Sequence, residues 1–158
     1  MALSEQLVGT SFRYPDHYVV EREKVREYAK AVKATDPSNF DEAAAAELGH
    51  DGLLAPLTFI SIFGYQAVAA FFDHVGISHE DAQIVQVDQL LKFLRPIQAG
   101  DRLYCDVAVE SIRRAHGTDI VVTKQTITNA DGDIVQETYT TLAGRAGEGE
   151  EGFSDATA

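Results

Sequence analysis

One uncharged stretch, between Asp51 and Asp73, constrains the fold more than any other part of the chain. Pro56 suits the first turn of a helix, because a missing N–H group loses no hydrogen bond there. Gly76 suits a left-handed helix stop. A helix over residues 55–72 would span about 27 Å at 1.5 Å per residue. Its apolar residues surround the whole axis, so this central helix is predicted to be buried.

A buried helix of this length lies either in a membrane or in the core of a protein. Pro56, Ser61, Gly64 and Gln66 interrupt the apolar run, which argues against a membrane span. The chain after Gly76 changes to the alternating pattern of half-buried strands. We therefore expect the central helix to be covered by a sheet.

Composition limits the class of protein. The 158 residues suit one domain, predicted at 1–145, and the glycine-rich acidic tail at 146–158 is expected to be disordered. The formal net charge of −12 disfavours nucleic acid as a partner, because phosphates require a basic surface. One cysteine and no secretion signal indicate the cytoplasm. The histidines show no metal-ligand spacing, and no cofactor is expected.

Hydrophobic periodicity predicts strands and helices around the central helix. In chain order these are a bent strand at 9–20, a helix at 21–32, a short helix at 41–48, and strands at 84–94, 102–110, 120–128 and 134–143. The strong turn signal at 129–133 predicts a hairpin between the last two strands. The strands after the central helix are expected to form an antiparallel meander that curls around it. The predicted class is α+β, with the hot-dog arrangement of one long helix wrapped by an antiparallel sheet.

Two segments carry a family resemblance. The first runs through Lys-Ala-Thr-Asp-Pro-Ser-Asn-Phe at 33–40 to Gly-Leu-Leu-Ala-Pro at 52–56, and the second is Phe-Leu-Arg-Pro-Ile-Gln-Ala-Gly-Asp at 93–101. In this order and spacing they resemble the MaoC-like (R)-specific hydratase/dehydratase family, over nearly the whole chain. That resemblance also implies the hot-dog fold.

Four further stretches are similar to the HadA-type subunit of mycobacterial (3R)-hydroxyacyl-ACP dehydratase. They are Arg-Tyr-Pro-Asp at 13–16, Ala-Pro-Leu-Thr-Phe at 55–59, Gln-Ile-Val-Gln-Val-Asp-Gln at 83–89, and Glu-Thr-Tyr-Thr-Thr-Leu-Ala-Gly at 137–144. The resemblance implies a role in type II fatty-acid elongation toward mycolic acids, with acyl carrier protein presenting the substrate.

The chain departs from that family at the residues that do the chemistry. The family's acid and base are the Asp and His of Gly-Asp-x-Asn-Pro-x-His. With Pro37 as anchor, Lys33 stands at the Gly, Ala34 at the Asp, Asp36 at the Asn, and Asn39 at the His. Neither alanine nor an amide can transfer a proton near neutral pH. The resemblance therefore implies a non-catalytic subunit whose hot-dog partner supplies the Asp/His pair in a heterodimer, with a homodimer as a further possibility when the chain is alone.

Two sets of residues are predicted to bind. The acyl chain is expected along the central helix, although each of these residues is first explained as part of the core: Phe59, Ile60, Ser61, Phe63, Gly64, Tyr65, Ala67 and Val68. The carrier protein is expected to contact three basic residues, which are also explained as solvated strand ends: Lys92, Arg95 and Arg114.

Alternatives remain open from the sequence alone. A homodimeric hydratase could use Asp36 or another nearby carboxylate, although Asp36 more readily caps its loop. The chain could instead be an acyl-binding module without chemistry. A hot-dog thioesterase would need a carboxylate near the central helix, for which Asp51 is the candidate. Cys105 is expected to be a buried apolar residue rather than a nucleophile.

Overall fold

The computed structural model describes residues 7–76, 84–115 and 118–145. The described ranges contain three α-helices, a short 3₁₀-helix at Pro37–Asn39 and six strands. The predicted elements are confirmed, except that the bent strand at 9–20 is two short strands; the predicted tail at 146–158 lies outside the described residues. The elements are β1 (Ser11–Arg13), β2 (Tyr18–Val19), α1 (Arg22–Ala31), α2 (Glu42–Glu47), α3 (Ser61–His74), β3 (Ile84–Phe93), β4 (Arg102–Ala115), β5 (Thr118–Thr128) and β6 (Ile134–Arg145).

The strands form one antiparallel sheet in the order β1-β4-β5-β6-β3, with β2 also paired to β4. The expected four-strand meander is therefore wrong in one respect, since only β4, β5 and β6 follow one another across the sheet. β3 pairs with β6 at the far edge. The physical reason is that β1 and β2 already occupy the free edge of β4. The segment 94–101 carries the chain from one side of the sheet to the other.

The central helix α3 begins at Ser61, later than the predicted start near Pro56. The backbone before Pro56 bonds elsewhere: the Ala55 N–H donates to the Ile97 carbonyl at 2.8 Å, and the Leu54 N–H donates to the Ser38 carbonyl at 3.0 Å. Residues 57–60 form tight turns instead. The predicted stop is confirmed, because Gly76 has a φ of 77°, in the left-handed region.

One face of α3 packs against β4. The buried side chains of Phe63, Ala67 and Phe71 belong to the same core as the alternate β4 residues Leu103, Cys105, Val107 and Val109. Tyr14 and Tyr18 close this core, with ring centroids 5.5 and 5.4 Å from that of Phe63. The helix is not buried all round, since Tyr65 is 70% exposed. No helix in the described ranges is long and apolar enough to cross a membrane.

Cys105 gives a direct test of this packing. Its side chain is completely buried, and burial raises the pKa of the thiol to about 12. Because the thiolate is the reactive form, native protein at pH 8 should react with an aromatic disulfide reagent far more slowly than a free thiol does. In denaturant the thiol should react at the ordinary rate. Rapid labelling of native protein would contradict the buried position of Cys105.

Candidate functional site

A cavity of about 460 Å³ lies between α3 and strands β3, β5 and β6. We call it the helix–sheet cavity. Its volume is in the range of small-molecule sites. Five of the eight predicted acyl-binding residues line it: Ile60, Ser61, Gly64, Tyr65 and Val68. Val68, Ala69 and Phe72 make the helix side of the cavity apolar toward its C-terminal end.

The other three predicted residues do not line this cavity. Phe59, Phe63 and Ala67 are at most 1% exposed and lie within the hydrophobic core. Phe63 and Ala67 lie four residues apart on one face of α3, and Phe59 lies in the turn before the helix, while the cavity-lining residues of α3 occupy the next face. The sequence could not separate the two faces, because both are uncharged.

Polar side chains form the sheet side of the helix–sheet cavity, and sequence reasoning missed them. Gln125, Thr138 and Thr140 line it, yet each is at most 4% exposed. Gly64 lies directly over Gln125: a Cβ at this glycine would stand 2.7 Å from the Gln125 Oε1 atom. Gly64 thus permits a close approach of helix and amide. The available signal was the alternation of β5, which places Gln125 on the same face as Val121 and Ile127.

A second cavity, of about 640 Å³, lies where the family's acid/base motif aligns. It is lined by residues of 36–39, 54–58 and 93–97, together with Gln136. We call it the loop cavity. The side chain of Asn39 is buried, and its Nδ2 donates to the Leu54 carbonyl at 2.7 Å. Asn39 therefore ties two walls of the cavity together.

Asp36 caps the loop, as predicted. Its carboxylate accepts hydrogen bonds from the Ser38 backbone N–H at 2.9 Å and from the Ser38 hydroxyl at 2.7 Å. Both hydrogen bonds favour the ionised form and lower the pKa of Asp36 below its usual range. A carboxylate held in this way is a weaker base than a free one. Asp41, at the predicted start of the short helix, likewise caps α2 by accepting from the Ala43 N–H at 2.9 Å.

The backbone at Lys33 supports the motif alignment. Lys33 has a φ of 56°, in the left-handed region that favours glycine. This is the position at which the family motif carries its glycine. The loop therefore keeps the turn of the motif, although its acid and base positions hold Ala34 and Asn39.

The three basic residues predicted to meet a carrier protein each face an acid. Lys92 lies 3.8 Å from Glu137, Arg95 lies 3.4 Å from Asp133, and Arg114 lies 2.7 Å from Asp119. Their side chains are more than half exposed, so a partner can still reach them. Contact between these three residues and a carrier protein stays a prediction. Within the three described ranges, no group of His, Cys, Asp and Glu is arranged to hold a metal ion.

Comparison with known proteins defines the class. The family sequence model for the FAS1-like dehydratase domain region matches residues 6–138, so the chain belongs to that family. A UPF0336 protein of Mycobacterium tuberculosis is 67% identical over 158 residues, which cover all of both chains.

Two solved structures share the fold. One is the truncated HadBC (3R-hydroxyacyl-ACP dehydratase) complex from M. tuberculosis, in which the similar chain is 47% identical with a TM-score of 0.80. That match covers 87% of this chain and 97% of the other. The second, a MaoC-like dehydratase, is 40% identical with a TM-score of 0.81, covering 89% of this chain and 43% of the other. The fold is the hot-dog fold, as predicted, and the relatives confirm the dehydratase resemblance.

The left-handed position of Lys33 can be tested by substitution. Lys33→Gly should raise the free energy of unfolding by about 1 kcal/mol, because a side chain is strained at positive φ. The matched control is Lys30→Gly, in the last turn of α1, which should lower the free energy of unfolding by about 1 kcal/mol. Urea unfolding followed by circular dichroism measures both. Equal losses in the two variants would show that Lys33 is not strained.

Proposed function

We propose that this chain is the non-catalytic, acyl-binding subunit of a heterodimeric (3R)-hydroxyacyl-ACP dehydratase. The observation that carries the proposal is the state of the motif loop. The loop keeps its left-handed turn at Lys33 and its cavity, but Ala34 and Asn39 occupy the acid and base positions. The Asn39 amide donates to the Leu54 carbonyl, and an amide cannot act as an acid or a base near neutral pH.

Dehydration of a 3-hydroxyacyl thioester needs a base for the C2 proton, an acid for the departing hydroxyl, and donors for the thioester oxygen. The partner subunit would supply the acid and the base. This chain would hold the acyl portion in the helix–sheet cavity, which has the volume and the largely apolar helix side that such a ligand needs.

The edge strand β3 is the surface we assign to the partner. It pairs with β6 on one side, and its other side is a free edge within the described sheet. It exposes Val85 (60%), Val87 (56%), Leu90 (49%) and Phe93 (46%). A long apolar edge strand is a template for pairing with another chain. Edge-to-edge pairing along β3 would also bring the partner beside the helix–sheet cavity, since Ile84, Gln86 and Gln89 line it.

The resemblance and the similar chain in the HadBC complex support a wider proposal. In this proposal the dehydratase acts in type II fatty-acid elongation toward mycolic acids, and acyl carrier protein carries the substrate. Lys92, Arg95 and Arg114 remain our candidates for contact with that acidic protein. A homodimeric hydratase is less favoured, because hydrogen bonds from Ser38 lower the pKa of Asp36, the carboxylate it would use as a base.

Hydration of a long-chain trans-2-enoyl thioester tests the division of labour. The pure chain should show no activity above background, and co-expression with a hot-dog subunit that carries the Asp/His pair should give an active complex. The control is the same partner with its His replaced by Ala. Full activity of the pure chain would overturn the proposal, and loss of that activity in Asp36→Ala would identify the rival base.

The β3 interface gives a second prediction. Leu90→Lys should prevent co-purification of the partner, because a charge on the edge strand opposes pairing. The matched control is Leu48→Lys, since Leu48 is also exposed (60%) but lies just after α2, away from β3. Size-exclusion chromatography compares the two complexes, and circular dichroism checks that both variants fold. Retention of the complex by Leu90→Lys would place the interface elsewhere.

A further inference from the structure

The sheet side of the helix–sheet cavity is more polar than protein cores usually are. Thr123, Gln125, Thr138 and Thr140 follow one another on the buried face of β5 and β6, and each is at most 4% exposed. By contrast, the buried face of β4 carries only apolar residues and a cysteine, at the alternate positions 103, 105, 107 and 109. Buried polar groups are unfavourable unless they are hydrogen-bonded. This cluster therefore needs an explanation beyond packing.

Hydrogen bonding within the cluster is weak. The Gln125 Nε2 donates to the Thr140 hydroxyl at 3.4 Å, at the outer limit of a hydrogen bond. The buried Thr123 hydroxyl has no partner among the described residues. An amide offers two donor hydrogens and two acceptor lone pairs, so one long bond leaves Gln125 able to bind a further polar group.

The buried polar groups lie at one end of the cavity, whereas Gln86 and Gln89, which also line it, are exposed side chains of the edge strand β3. On β6 the lining changes from Thr138 and Thr140 to Leu142. The pairing of β5 with β6 gives the same division of buried residues, because Gln125 is opposite Thr138, whereas Val121 is opposite Leu142. On the helix side, Gly64 stands over Gln125, and Phe72 lines the cavity about 12 Å further along the axis at 1.5 Å per residue. A ligand with one polar group and an alkyl chain matches this gradient.

We propose that Gln125 is a specificity-determining residue that seats a hydroxyl group of the acyl ligand, with the alkyl chain directed toward Leu142 and Phe72. This inference rests on the proposed function, because the ligand class is the 3-hydroxyacyl thioester. A hydroxyl both donates and accepts, as do the amide of Gln125 and the hydroxyl of Thr140. A buried site built for a hydroxyl discriminates against ligands that lack one, since its own polar groups are then left unpaired.

Gly64 supports a role for the Gln125 position. Glycine within a helix is less favourable than alanine, so its presence in α3 has a cost. An alanine here would place its Cβ 2.7 Å from the Gln125 Oε1 atom and displace the amide. The chain thus keeps the amide close to the helix at the expense of helix propensity.

Binding of paired ligands to the full chain tests this inference. The probes are the N-acetylcysteamine thioesters of (R)-3-hydroxydecanoic acid and of decanoic acid, compared by isothermal titration calorimetry. Wild type should bind the hydroxylated probe about tenfold more tightly, the scale of one well-placed hydrogen bond. Gln125→Leu should reduce this preference to about one. Thr140→Val, a smaller change, should reduce it in part if Gln125→Leu does not fold.

The matched control is Thr126→Val, which changes the neighbouring residue of β5 on the opposite face and should keep the preference. Gly64→Ala should weaken binding of both probes, because the displaced amide enters the cavity. Adding Gln125→Ala to Gly64→Ala should restore binding of the saturated probe without restoring the preference. Rescue of this kind would not follow if Gln125 served only to support the sheet.

The outcomes separate this inference from the proposed function. Equal binding of the two probes by wild type would overturn the role of Gln125 and leave acyl binding in place. A preference that survives Gln125→Leu would overturn it as well. Binding of neither probe would instead remove acyl binding from this chain. Complex formation and hydratase activity with the partner would remain measurable in either case.

Discussion

The structure depends on the packing of one aromatic face of α3 against the apolar strand β4. Phe63 and Phe71 are almost completely buried there, as is Phe59 in the turn before the helix, and Tyr14 and Tyr18 close the layer from the N-terminal segment. Burial of each aromatic side chain stabilises the fold by about 2–3 kcal/mol. This contact fixes the rotation of the helix about its axis. The opposite face of the helix must then meet a different environment.

That environment surrounds the helix–sheet cavity, to which we assign the acyl ligand. Strands β5 and β6 place glutamine and threonine beneath the helix, where β4 places leucine, cysteine and valine. The helix has no side chain at this point, because its residue over Gln125 is Gly64. Poor filling on this side leaves the helix–sheet cavity open, while close packing on the β4 side keeps the helix in place. One element therefore serves both as core and as cavity wall.

The motif loop is well held although Ala34 and Asn39 stand at the acid and base positions of the family motif. Lys33 is left-handed, Asp36 caps the loop, and the Asn39 amide donates to the Leu54 carbonyl. These features hold the loop against the segment before α3, and Asn39 can provide that contact without titrating. Under the function we propose, a partner supplies the acid and the base, and the apolar edge of β3 is the surface assigned to it.

The sequence by itself determined the order of elements, the α+β class and the substitutions at the motif, because periodicity and motif spacing are local properties. It also indicated the cap at Asp36. Only the tertiary structure decided that β3 pairs with β6, that α3 begins at Ser61, and which helical face lines the cavity. These depend on contacts between distant segments: Ala55 with Ile97, and β1 at the edge of β4. Gln125 was identified only from the structure for the same reason, since its burial depends on the strand and the helix that cover it.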